Sequence, residues 1–143
     1  MARTSFSYDD IITKITRICK AHKIKLILND ASVPENNGIS YGNDEIHLGQ
    51  RYTSNLIMLA IFFHELGHCM LSKRKPKRQG DMPIFREETM AWVLAMEQQI
   101  KHFKKPFTKS QGNFMLECLS TYSKQHYNFT KSYEIVPDND DDD

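Results

Sequence analysis

The chain lacks the features that mark several broad protein classes. Its three cysteines, Cys19, Cys69 and Cys118, are odd in number, widely spaced and free of any C-x-x-C pair. That argues against both a disulfide framework and a thiolate zinc site, and leaves them as small buried apolar residues. Net charge is nearly absent as well, since 19 Lys and Arg face 18 Asp and Glu for a formal charge of +1. A field so close to neutral points to neither nucleic acid nor a membrane as a direct ligand. The opening MARTSFSYDD has no basic-then-apolar layout of a secretory signal, and no apolar run reads as long enough to span a bilayer. A cytoplasmic location is the expectation. No internal repeat is visible, and the only biased segment is the acidic end, Asp138 and Asp140 to Asp143.

With 143 residues and 40% hydrophobic content, the chain suffices for one modest core and is too short for two independent domains. The expectation is one domain over residues 1–137, followed by a disordered acidic tail over 138–143. Lys73, Arg74, Lys75, Lys77 and Arg78 form a basic knot that reads as a solvated loop.

The patterning predicts a small α+β fold of about four helices with a short three-stranded sheet. Ser7 with Asp10 resembles a capping box, and Ile11, Ile12, Ile15, Ile18 and Cys19 follow at helical spacing, giving a first helix to about His22. Lys25 to Leu28 reads as a strand. Ile39 to Tyr41 and Glu45 to Leu48 read as a hairpin turning near Gly42, Asn43 and Asp44. Thr53 or Ser54 can cap the next helix, which runs through LIMLAIFFHELGHCML with no polar face before the histidines, as a central buried helix does. Pro76, Gly80 and Pro83 break the chain before a third helix from about Arg86 to His102. Thr108 and Gln111 offer a second capping box for a fourth, with Phe114, Met115, Cys118, Leu119 and Tyr122 on one side.

His64, Glu65 and His68 form HELGH, an instance of H-E-x-x-H. Two imidazoles four residues apart project from one helical face toward one point, a geometry suited to a single metal ion. Glu65 lies about 100° further round the axis, placed as a general base able to reach a water that the ion activates. Two histidines and a glutamate in so apolar a helix would otherwise be buried polar groups in need of partners.

A catalytic zinc takes three protein ligands and keeps one position open. The next helix supplies candidates for the third. Glu88 shares a face with Ala91, Trp92 and Ala95, and the two alanines permit close approach to the histidine helix. Glu87, on the face of Met90, Ala91 and Leu94, is its rival, with Asp81 behind; helical phase favours Glu88. Gly67, a glycine inside a helix, implies tight packing there, against strand backbone or substrate.

HELGH followed by a glutamate on the next helix resembles the gluzincin group of zinc metallopeptidases, and within it the ImmA/IrrE family. The likeness rests on DEIHLG, Arg51, the apolar lead-in to HELGH and EETMAW, and covers roughly Ile24 to Ala95. It implies a zincin-like fold, one Zn2+ ion on His64, His68 and Glu88, and Glu65 as catalytic acid and base. It also implies a bacterial, phage or mobile-element source and a transcriptional repressor as substrate. A phage-encoded chain would work in the host cytoplasm. At Trp92 the sequence departs from the resemblance, because Asn or Asp commonly stands four residues after the third ligand.

The function expected is therefore peptide-bond hydrolysis in a protein or peptide substrate. Tyr122, His126 and Tyr127 are the candidates for stabilising the oxyanion. The strand around Glu45 to Leu48 could offer an exposed edge for strand addition; the alternative is that His47 merely faces solvent. The alternative is a catalytically idle, metal-containing module that sequesters a host or regulatory protein. Sequence leaves the oligomeric state open.

Overall fold

A computed structural model describes the backbone of residues 6–74 and 84–133, and within it the side chains of residues 6–73 and 86–121. Lys75, Pro76, Lys77, Arg78, Gly80, Asp81, Pro83 and the acidic tail lie outside the described residues. The elements are α1 (Tyr8–Ala21), β1 (Lys25–Ile27), β2 (Gly38–Tyr41), β3 (Glu45–Leu48), α2 (Asn55–Arg74), α3 (Ile84–Phe103) and α4 (Lys109–Tyr133). This is the expected small α+β arrangement of four helices and three strands.

Local chemistry explains the boundaries. Ser7 caps α1, its Oγ accepting the Asp10 amide at 3.3 Å, and the apolar stripe Ile11, Ile15, Ile18 and Cys19 is buried. Of the two candidate caps for α2, Ser54 is the one whose Oγ accepts a helix backbone amide, that of Ile57 at 3.2 Å, whereas Thr53 Oγ1 accepts the Asn36 side-chain amide at 2.8 Å. At α4 both halves of the capping box form: the Thr108 amide donates to Gln111 Oε1 at 2.9 Å, and the Gln111 amide to Thr108 Oγ1 at 3.3 Å.

The sheet corrects one expectation. Its order is β1-β3-β2, with β1 parallel and β2 antiparallel to β3. Glu45–Leu48 is therefore the central strand, and β2 is the edge beside α2. The reason is apolar alternation: Ile46 and Leu48 are fully buried on the core face, so β3 gains most from pairing on both sides. The hairpin turns at Gly42, whose φ of +63° suits glycine. His47 does not simply face solvent. Its Nδ1 lies 2.7 Å from Asp30 and its Nε2 2.5 Å from Glu45.

α2 is the spine. By length and composition alone Asn55–Lys73 is long and apolar enough to cross a membrane, which corrects the sequence reading of run length. Its apolar character has a local use, since 67% of that stretch is buried, against the sheet, α1, α3 and α4. The close approach anticipated at Gly67 also exists, but its partner is neither strand nor substrate. A Cβ there would lie 2.6 Å from the Ala91 carbonyl oxygen, so α2 and α3 touch backbone to backbone. Gln99 and Gln111, both fully buried, exchange amide hydrogen bonds of 3.0 and 2.7 Å, and Gln111 also donates to the Leu56 carbonyl at 2.9 Å. That lock ties the start of α2, the end of α3 and the start of α4, and sets α4 over the α2/α3 face.

Candidate metal centre

The Gly67–Ala91 contact puts one helical turn of each helix in register. Around it, His64 and His68 of α2 meet Glu88 of α3. His64 Nε2 lies 2.8 Å from Glu88 Oε1, His68 Nε2 lies 2.9 Å from Glu88 Oε2, and the two Nε2 atoms are 3.2 Å apart. The three residues form a group that could hold a metal ion, with a ligand atom from each lying within 4.8 Å of the others. Donors at tetrahedral angles around an ion bonded at about 2.0–2.1 Å are separated by roughly 3.3 Å. The 3.2 Å between the two Nε2 atoms lies close to that value, while each Glu88 oxygen sits nearer its own imidazole, so the three side chains converge as a small divalent cation would need.

The electrostatics separate the two imidazoles. Burial works to lower His68, but Glu88, Glu65 and Glu87 outweigh it and push its pKa up to about 9. Burial works to raise Glu88, but the two imidazoles outweigh it and pull the carboxyl down to about 2. At neutral pH Glu88 is therefore a carboxylate, and the proton held on His68 is what an incoming cation would displace, since a ligating ring is neutral. His64 differs. Its burial lowers its pKa despite Glu88, favouring the neutral ring that a metal requires.

Glu87 resolves the rivalry of the two acids. Its Oε2 lies 3.2 Å from His68 Nδ1, behind the ring, where it holds the imidazole rather than joining the converging group. Asp81 lies outside the described residues. The side chains of Tyr122, His126 and Tyr127 also lie outside them, and these three positions fall on the distal part of α4.

Glu65 is buried, and that burial pushes its pKa up to about 7, against the opposing pull of His68 and of a hydrogen bond with Ser40. Ser40 was not legible beforehand. It comes from β2, and only its place in the edge strand brings it to the α2 carboxylate. A cavity of about 320 Å³ joins these groups, walled by Asn36 to Ser40 on the strand side and by Ile61, Trp92, Phe114 and Cys118 on the helical side. Cys19 and Cys69 are buried free thiols as expected, whereas Cys118 is half-buried and faces this cavity.

Trp92 is the second residue whose role needed the fold. Its indole stacks on the His64 ring with centroids 4.1 Å apart and planes 20° from parallel. Among the described residues His64 Nδ1 is buried with no hydrogen-bond partner. A comparison of the chain with family models, curated proteins and solved structures gives no match.

Proposed function

We propose that this chain is a zinc-dependent endopeptidase that hydrolyses a peptide bond in a protein substrate. The observation that carries the reading is the convergence of His64, His68 and Glu88, with Glu65 beside them, on one open cavity. When bound there, a divalent ion supplies Lewis acidity that polarises a carbonyl and acidifies a water. The chain's own residues do the rest. Glu65, with a pKa near 7, is matched to taking a proton from water and returning it to the leaving amine at neutral pH. Ser40 orients that carboxylate from the strand side. The Glu87 carboxylate fixes the ring of His68.

Substrate class follows from the walls. The cavity opens along β2, one of the two edge strands of the sheet, and an extended polypeptide adding to that edge would run past Glu65. The resemblance to ImmA/IrrE peptidases suggests a transcriptional repressor as that polypeptide, acted on in the cytoplasm. The test is to incubate the zinc-loaded protein with cell lysate and to map new protein N-termini against Glu65→Gln. New termini that vanish in the variant support the reading. Cleavage that persists in Glu65→Gln eliminates it, and a biological effect that survives the variant with partner binding intact would identify a sequestering module instead.

A further inference from the structure

The two histidines of the centre are held by different means. His68 presents Nε2 to the converging group, and its other nitrogen meets Glu87 at 3.2 Å, the usual arrangement by which a carboxylate fixes a ligand's ring. His64 also presents Nε2, but its Nδ1 has no partner among the described residues. What lies on His64 is an aromatic plane. We propose that Trp92 is the positioning residue for His64, its stacked indole doing for this ring what Glu87 does for His68 and fixing the tilt of the imidazole toward an ion bound there.

Three observations support this. Trp92 follows Glu88 by one helical turn, so one stripe of α3 delivers both the ligand carboxylate and the plane that steadies the opposite ligand. The indole is itself immobilised: it is 2% exposed and meets the edges of Phe107 and Phe114 at centroid distances of 6.3 and 6.2 Å. A π face also attracts positive charge, so an imidazole carrying a cation on Nε2 is held more firmly than a bare one. Ring stacking thus couples His64 orientation to metal binding without adding a carboxylate. Because this is the only tryptophan in the chain, its fluorescence comes from a group lying against a ligand ring.

The inference rests on the metal centre and not on hydrolysis, and it is tested with metal alone. Metal-free protein is titrated with Co2+ while tryptophan emission and the visible absorption of the ion are followed, and Zn2+ affinity is measured by chelator competition. Wild type should show quenching that saturates at one equivalent of Co2+ and is lost in His64→Ala. Trp92→Phe, which keeps an aromatic plane, should bind Zn2+ within about threefold of wild type. Trp92→Leu should bind roughly 10- to 100-fold more weakly, the range typical of lost support behind a ligand, and should show an altered Co2+ spectrum. Circular dichroism establishes that each variant is folded. If Trp92→Leu does not fold, the Trp92→Phe affinity and the quenching decide. Folded Trp92→Leu with wild-type affinity and spectrum overturns the proposal, as does Trp92→Phe as weak as Trp92→Leu. Wild type that binds neither ion overturns the metal centre itself, a distinguishable result.

Discussion

Replacing Gly67 by alanine separates two effects of opposite sign. Removing a glycine from a helix interior stabilises by about 1 kcal/mol where nothing opposes it. Here the new Cβ would meet the Ala91 backbone, at 2.6 Å from O, 3.1 Å from Cα and 3.2 Å from C. Those atoms belong to a helix and have no rotamer to turn away. Reaching an ordinary contact of 3.4 Å requires 3.4 − 2.6 = 0.8 Å of separation between α2 and α3. Overpacking of this kind costs about 1–3 kcal/mol, which outweighs the propensity gain and leaves a net loss of about 1 kcal/mol. The same movement draws Glu88 away from both imidazoles, whereas metal–ligand distances tolerate only about 0.2 Å. Gly67→Ala should therefore melt a few degrees lower as metal-free protein, by calorimetry, and bind Zn2+ at least tenfold more weakly, by chelator competition. A variant about 1 kcal/mol more stable than wild type, with unchanged affinity, would refute the backbone-contact argument.

Three further outcomes follow from the same geometry. Glu65→Gln should keep its zinc content and fold while peptide hydrolysis falls roughly 100- to 10,000-fold, the usual contribution of a positioned acid–base group, as read from cleavage rates on a mapped substrate. Saturating Zn2+ at about 100 times Kd should stabilise wild type by about 2.7 kcal/mol, seen as a raised Tm that a chelator reverses; His68→Ala should show no such response. The Asp30–His47–Glu45 bridge should stabilise most in mildly acidic solution. His47 is raised above 6.5 by those two carboxylates, so its contribution is complete below that value and fades as pH rises through the shifted one. Asp30 is lowered from 3.8 to about 2 by His47 and Ser32, so its share is present above 3.8 and is lost toward pH 2. The Tm gap between wild type and His47→Gln should accordingly narrow from pH 6 to pH 9; a gap independent of pH would remove the bridge from the account.

What could be foreseen divides along a physical line. His64, His68 and Glu88 were legible because helical periodicity alone sets which residues share a face, and the same phase put Glu87 one step aside, where it meets the back of His68. The α4 cap was legible for a similar reason, being made of two residues three apart. Strand order was not. It depends on β1 pairing parallel to β3 across the intervening β2, a choice made by burial of Ile46 and Leu48 and not by any local signal. Ser40 and Trp92 escaped for the same reason, because their partners lie 25 and 28 positions away and are supplied by packing of one element on another. Gly67 was half legible: its cost in a helix announced a close neighbour, while the neighbour's identity required the α2–α3 crossing.

The construction of the site also separates two properties that are often entangled. The converging donors belong wholly to the α2–α3 pair, whose spacing is fixed by the Gly67–Ala91 contact. The groove beside them is finished by β2 on one side and by Phe114 and Cys118 of α4 on the other. Gly38 is where strand and helix meet most tightly, since a Cβ there would lie 2.8 Å from the Ile61 side chain and 3.0 Å from that of Glu65. Neither atom is a free end: the Ile61 methyl sits on the Cβ of a β-branched residue, and the Glu65 methylene leads to its carboxylate. A bulkier residue at 38 therefore presses first on Glu65 and on the packing of β2 against α2, and does not touch the Gly67–Ala91 contact. Substitutions at the α2–α3 crossing are therefore expected to act first on the three converging donors, and substitutions on β2 or α4 first on the shape of the groove.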